Sequence, residues 1–343
     1  MTATPAAPLL DPARLGTWLD GLGLAPGEPV EHSALSGGKS NAMFQIRRGE
    51  HAWVLRRPAG VALDRAEDGL RREFRILTAL ADTPVPHPRA VAFCDDRGVL
   101  GSAFYLMARV EGFAPFPEAI PASFGTAGTP GTPAGTPPGS SPGREIGLAM
   151  ADTLADLHAL DPQAVGLGDL GRPDGFHERQ VGRWMKQLSG YPEQGTLPGV
   201  EVVTSWLGKN LPPAFTPVLM HGDYHFGNVL LAPDPPPRVT AIVDWETATI
   251  GDPLLDLAGF LRIWFETGPA EGSSWDEMAA RYATRAGREL PDLTYYITLS
   301  RFRLAVLLEG IHQRAKSDPT RTPQPGIGTY ARRLITDAVK SLR

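Results

Sequence analysis

Two short segments in the second half of the chain carry oxygen ligands at a spacing that suits phosphoryl chemistry. The run Leu219-Met220-His221-Gly222-Asp223-Tyr224-His225-Phe226-Gly227-Asn228-Val229-Leu230-Leu231 sets an aspartate five residues before an asparagine, between apolar stretches. Phosphoryl transfer needs a carboxylate that accepts or orients the proton of the attacking hydroxyl, and an oxygen ligand for a metal ion nearby on the same loop. Alone, that pattern only hints at such chemistry. The next segment decides it. Ala241-Ile242-Val243-Asp244-Trp245-Glu246 ends an apolar strand on an acid, sixteen residues after Asn228. That length holds a turn and a returning strand, so Asp244 would face Asn228 across a hairpin as a second hard oxygen ligand for Mg²⁺. A strand-end cap is the bland reading of Asp244, and the joint occurrence of both segments in this order weakens it.

Composition limits the alternatives. The chain has 343 residues, 42% hydrophobic and 21% charged, with a formal net charge of −5, as expected of a globular protein of about two domains. No run of Lys and Arg marks a nucleic-acid partner. The single cysteine, Cys94, excludes an internal disulfide, argues against a Cys-ligated zinc site, and fits a reducing compartment. No signal-peptide pattern opens the chain, and no apolar run approaches the roughly 18–20 residues that span a bilayer. The expectation is a soluble cytoplasmic protein without a membrane partner.

The elements that must position these residues follow from periodicity. Residues 11–24 read as a short amphipathic helix on Leu15, Trp18, Leu19 and Leu22. Strands are expected over 30–35, 42–46 and 51–57, with the polar turn Ser36-Gly37-Gly38-Lys39-Ser40-Asn41 between the first two. Leu70, Phe74, Leu77 and Leu80 give a helix over 64–81 that contains Glu73, and strands fit 90–94 and 103–110. Residues 121–143 are almost wholly Pro, Gly, Thr, Ser and Ala, which reads as a disordered or mobile linker. Helices are expected over 144–160, 176–188 and 202–210. Short strands at 218–222, 229–231 and 239–243 surround the loops of interest, and the remainder is mainly helical.

These segments resemble a known family. HGDYHFGN, VDWE and the following GDPLLDLA are similar to the aminoglycoside phosphotransferase-like (choline-kinase-like) small-molecule kinases. The nearest branch is the one whose members occur alone or fused to acyl-CoA dehydrogenases. LSGGKSNAMFQI, WVLRRPAG, REFRILTAL, FYLMARVEG and RQVGRWMKQ extend the match over roughly residues 30–265 in the expected order. The resemblance implies an α+β, protein-kinase-like two-lobed fold, with ATP between an N-lobe of antiparallel sheet with one helix and a mainly helical C-lobe. The expected divisions are 1–110 for the nucleotide-binding lobe, 111–143 for the hinge exit and linker, and 144–343 for the helical lobe with catalytic loop and acceptor site.

By the same resemblance Asp223 matches the catalytic base, and Asn228 and Asp244 the Mg²⁺ ligands. Asp256 would hold the catalytic loop through its backbone, and His221 would brace that loop. Arg56 stands where the family has a strand lysine for the α- and β-phosphates, with Glu73 as its partner. The planar fork of arginine fits phosphate differently from an ammonium. Arg57 takes that place if the register differs by one, on the other face of the strand. Ser36, Gly37, Gly38, Ser40 and Asn41 would form the phosphate-covering loop, and Ala108 and Val110 would lie at the adenine hinge.

Only seven residues separate Asp244 from Asp252, and no Ala-Pro-Glu follows, so a peptide-binding activation segment has no room. The expected acceptor is the hydroxyl of a small molecule. His225, Arg179, Arg183, Glu246 and Arg262 are candidates to line it, with Trp264 nearby. Their charge favours a neutral or anionic acceptor, such as a hydroxy acid or its CoA thioester, over a polycation. A solvated helix face is an equal reading of His177, Arg179 and Arg183. The rival class is a non-catalytic nucleotide-binding pseudokinase or scaffold, for which Arg56 speaks and the intact Asp223, Asn228 and Asp244 speak against.

Overall fold

In the computed structural model, residues 10–35, 41–59, 63–124, 141–191, 197–317 and 324–342 are described. Their contacts group into two compact units.

The first unit comprises Met1–Phe113, Val229–Pro233 and Val239–Glu246. It opens with α1 (Pro12–Gly21), started by Pro12 and by Asp11, whose carboxylate accepts from the N–H groups of Ala13 and Arg14. Then come β1 (Glu31–Leu35), β2 (Asn41–Arg48), β3 (His51–Pro58), α2 (Leu63–Ala79), β4 (Ala90–Cys94), α3 (Arg97–Leu100) and β5 (Phe104–Ala108). The strands form an antiparallel sheet in the order β1-β2-β3-β5-β4. One of its clusters joins Leu15 and Leu19 of α1 to Ile46, Leu55, Phe104 and Leu106.

Adjacent residues of a strand point to opposite faces, and that settles the register of β3. Arg56 reaches Glu73 on α2, while Arg57 turns the other way and donates to the Leu100 carbonyl at 2.8 Å. Arg56 is therefore the residue that pairs with the helix.

The rest of the chain runs α4 (Pro142–His158), α5 (Glu178–Ser189), α6 (Val200–Lys209), β6 (Val218–Met220), β7 (Val229–Leu231), β8 (Val239–Ile242), β9 (Thr249–Gly251), α7 (Pro253–Thr267), α8 (Trp275–Ala286), α9 (Thr294–Ser317) and α10 (Ile327–Ser341). The hairpin β7–β8 pairs Val229 with Ile242 and belongs to the first unit, where Phe113 bridges Leu231 and the Ile242 N–H reaches the Pro86 carbonyl at 2.8 Å. The second unit is helical around the pair β6–β9, with Met150, Leu154, Leu257, Phe260, Trp264 and Phe302 in its interior. No helix among the described residues is long and apolar enough to cross a membrane.

Three local expectations need correction. Of the linker expected over 121–143 only the two ends are described, and they are ordered. Residues 122–124 form a 3-10 turn with Phe124 buried, and Ser141 caps α4 while donating to the Glu271 carbonyl at 2.5 Å. Residues 125–140 lie outside those described. The strand expected over 103–110 ends at Ala108. The strand β9 was not anticipated, because three residues, Thr249-Ile250-Gly251, carry no legible period.

Candidate functional site

The loop after β6 holds the first cluster, wholly within the second unit. Asp223 is half exposed, and its backbone N–H donates to His221 Nδ1 at 3.3 Å. Asn228 donates its amide nitrogen to the Asp223 carbonyl (3.0 Å) and carboxylate (3.2 Å). Its amide oxygen is then the atom left to accept a hard cation. His225 Nδ1 accepts from the Gly227 N–H at 3.0 Å, so a neutral ring carries its proton on Nε2, which lies 3.6 Å from Asp223 Oδ2. Desolvation raises the Asp223 pKa, but the hydrogen bond and charge of His225, with His221 and Arg303, bring it below the usual carboxylate range. Asp223 is thus an ionised acceptor at neutral pH.

The loop has little freedom. Gly222 sits at φ +81°, and a Cβ there would come within 2.5 Å of the Thr247 carbonyl, so only glycine fits. Asp256 of α7 accepts from the N–H groups of His221 (2.7 Å) and Gly222 (2.9 Å). His158 Nε2 lies 3.4 Å from the same carboxylate, and Tyr282 supplies a hydroxyl 2.7 Å from His158 Nδ1. Burial lowers the His158 pKa against the pull of Asp256, which makes a neutral Nε2–H tautomer the consistent assignment. Tyr282, His158 and Asp256 therefore form a buried relay that fixes the backbone on which Asp223 stands. Asp252, one turn earlier, caps α7 through Leu254 and accepts from His177 Nε2 (2.9 Å) and the Tyr296 hydroxyl (2.8 Å).

The second cluster belongs to the first unit. Arg56 donates Nη1 to Glu73 (3.0 Å) and Nη2 to Asp244 (2.8 Å) and Glu246 (3.2 Å). Asn41, with its amide oxygen turned toward the guanidinium, accepts from Arg56 Nε (3.2 Å) and Nη2 (3.0 Å). Glu73 also accepts the Trp245 N–H at 3.3 Å, which ties the acidic loop to α2. Burial drives the Glu73 pKa up, against Arg56, to about 7; Asp244 and Glu246 add to the rise. Asp244 holds φ +67°, a strained position for a non-glycine that this network maintains.

The donor chemistry fits magnesium and a nucleotide. Among the described residues no group of three or more His, Cys, Asp or Glu side chains could hold a metal alone. Magnesium commonly takes one or two protein oxygens and completes its shell with water and phosphate; Asn228 in the second unit and Asp244 in the first each carry an oxygen of that kind. The Arg56 guanidinium already shows that Asp244 and Glu246 accept a cation between them.

The other expected residues are placed as follows. Ser36, Gly37, Gly38 and Ser40 lie outside the described residues, and Asn41 begins β2. Ala108 gives its N–H to the Arg89 carbonyl at 2.8 Å, and among the described residues the Val110 N–H has no partner. Arg179 donates to the carbonyls of Asp174 and Arg172, bracing its own loop. Arg262 is buried and donates to Ser300 (3.1 Å) and Glu266 (2.7 Å), and Trp264 is in the core. Arg183 lies 5.3 Å from the centre of the Trp184 ring.

Sequence reasoning missed His158, Tyr282 and Arg303. His158 ends the apolar stripe of Ile146, Met150 and Leu154, and a polar residue on that face was the available signal. Arg303 of α9 donates Nη2 to the Gly222 carbonyl at 3.4 Å across eighty-one positions, and nothing local announces it.

Known proteins resemble this chain in sequence and fold. Residues 31–294 match the family described as "Phosphotransferase enzyme family" (APH). Human acyl-CoA dehydrogenase family member 11 is 32% identical over 319 residues, covering 88% of this chain and 38% of that protein. A crystal structure from Ralstonia eutropha, provisionally described as an aminoglycoside phosphotransferase, is 27% identical with a TM-score of 0.79, covering 96% of this chain and 98% of the other. The aminoglycoside phosphotransferase APH(4)-Ia, solved with ADP and hygromycin B, shares the fold at 16% identity and a TM-score of 0.60, over 95% and 97% of the two chains. The chain spans about two fifths of the length of the curated dehydrogenase-named relatives it matches.

Proposed function

Because this chain belongs to the phosphotransferase enzyme family, with its kinase-like α+β fold, we propose that it transfers the γ-phosphate of ATP to a hydroxyl of a small molecule, with Mg²⁺. The carrying observation is the loop in which Asp256 pins the backbone at His221 and Gly222 while Asn228 and His225 orient an ionised Asp223.

In this reading Asp223 accepts or orients the proton of the acceptor hydroxyl. The carboxylate needs no deprotonation step at neutral pH, because His225, His221 and Arg303 keep it ionised. Asn228 Oδ1 and Asp244 would hold Mg²⁺, which when bound neutralises charge on the phosphate oxygens. Arg56, kept in place by Glu73, would meet the phosphates, and Asn41 would stand beside it. The main chain at Ala108–Val110 would receive the adenine, with the Val110 N–H the group still able to donate. Glu246 and His225 complete the polar surroundings of Asp244 and Asp223.

The test is a thermal shift and an ADP-release assay on the same preparation. ATP with Mg²⁺ should stabilise the protein and Asp244→Ala should abolish that stabilisation. Asp223→Ala should retain nucleotide binding and lose turnover. Stabilisation by nucleotide with turnover indifferent to Asp223→Ala would support the non-catalytic reading instead.

A further inference from the structure

Two guanidinium groups, one of them in contact with the Asp223 loop, share a single indole. Arg303, from α9, lies 5.4 Å from the centre of the Trp184 ring, and Arg183, from α5, lies 5.3 Å from the same ring. Trp184 is buried at 5% exposure, so the indole is a fixed platform for both. Arg303 is further held by the Gly222 carbonyl, the residue before Asp223. Its Nε is buried with no partner.

Neither cation has an acid of its own. Elsewhere the unit pairs its arginines with care: Arg144 with Glu277, Arg281 with Asp152, Arg285 with Asp156, Arg262 with Glu266. Among the described residues no carboxylate lies within ion-pair distance of Arg183 or Arg303. The acids whose fields reach Arg303 are Asp223 and Asp256. Asp256 is committed to His221, Gly222 and His158, and Asp223 to Asn228 and His225. Holding two like charges near each other on one indole, partly desolvated, costs free energy that an anion would recover.

We propose that Arg303, assisted by Arg183, binds an anionic oxyacid group, carboxylate or phosphate, on the molecule whose hydroxyl meets Asp223. This rests on the phosphotransferase reading and names its acceptor class: an acid bearing a hydroxyl, not a polyamine. A guanidinium offers a planar pair of donors matched to the two oxygens of a carboxylate or phosphate. A polycationic sugar would meet repulsion at the same place. Arg183 is exposed and Arg303 half-buried, so the deeper cation sets selectivity and the outer one adds attraction.

The test is calorimetric binding to the full chain of a matched set: glycerate, glycerol 3-phosphate, glycerol and the amino alcohol serinol. The anions should bind at least ~10-fold more tightly than glycerol, and serinol the most weakly, as expected for a charge-assisted contact. The stronger of glycerate and glycerol 3-phosphate identifies the group. Arg303→Gln should remove the preference, Arg183→Gln should reduce it, and Arg303→Lys should keep part of it with an unchanged melting temperature. A merely structural Arg303 would leave the anion-to-neutral ratio as it was. Wild-type protein with no anion preference, or an equal preference in a folded Arg303→Gln, overturns the proposal. Asp223→Ala separates the two ideas: it should lose turnover and keep anion binding. If anions bind through Arg303 and no turnover depends on Asp223, the phosphotransferase reading fails while this site stands.

Discussion

Replacing Asp256 tests the relay behind the loop with a magnitude that the geometry supplies. Its carboxylate is 3% exposed and accepts two backbone N–H groups, at 2.7 and 2.9 Å, with His158 Nε2 at 3.4 Å. Asp256→Ala leaves both backbone donors without a partner. An unsatisfied buried donor costs ~1–3 kcal/mol, so the loss is roughly 2–6 kcal/mol. Asp256→Asn keeps one accepting oxygen but turns an amide NH₂ toward a donor, so about half of that loss is expected. Urea unfolding followed by tryptophan fluorescence measures this as a shift in midpoint at constant slope. Under native conditions Asp256→Ala should lower kcat far more than it changes KM for ATP, because it loosens Asp223 and leaves the Arg56 cluster untouched. A midpoint shift worth less than ~0.5 kcal/mol, the size of a neutral surface change, would refute the reasoning.

The remaining predictions concern the same two clusters. Gly222→Ala forces a side chain onto φ +81° within 2.5 Å of the Thr247 carbonyl, and should cost ~1–3 kcal/mol from backbone strain alone, read by thermal melting. Arg56→Met strands Glu73 and should destabilise by roughly 3–5 kcal/mol, whereas Arg56→Lys should lose less than half of that. Glu73 is raised to about 7 from 4.5, so the folded protein binds a proton there that the unfolded chain releases. Its contribution is full below pH 4.5 and is lost as pH rises through 7; Glu73→Gln should flatten that part of the stability profile. Asp223 is lowered, so its active carboxylate is lost only as pH falls below the usual range. His225→Gln should move the acid limb of kcat/KM to higher pH.

The legible part of the molecule was the part with local signal. Apolar periods placed α2, α4 and β4, and β7 fell at its expected bounds, because each buries one face against the core. Asp223, Asn228 and Asp244 stood out because chemistry fixes residue type and spacing within one or two turns. Residues that act across the chain had no such mark. Arg303 reaches Gly222 from eighty-one positions away, and His158 reaches Asp256 from ninety-eight. In one sequence each looks like an ordinary helix residue. Arg262 and Trp264 show the opposite case: a charge and an indole on a helix after the motif read as an acceptor wall, while both side chains are buried, with Ser300 and Glu266 accepting from the guanidinium and Ser273 from the indole N–H. The pair Arg56-Arg57 was open because the strand period tells that two residues diverge, not which one meets α2.

The central claim is that Asp223 serves hydroxyl phosphorylation by ATP. Its most direct test follows ADP release and the phosphorylated acceptor together, for wild type and Asp223→Ala, across a set of hydroxyl compounds that includes a hydroxy acid, a hydroxyacyl-CoA and an aminoglycoside. The account predicts a wild-type product phosphorylated on oxygen, formed only with ATP and Mg²⁺, and a loss of at least ~100-fold in kcat in Asp223→Ala without loss of ATP binding. Equal ADP release and equal product from Asp223→Ala would contradict it.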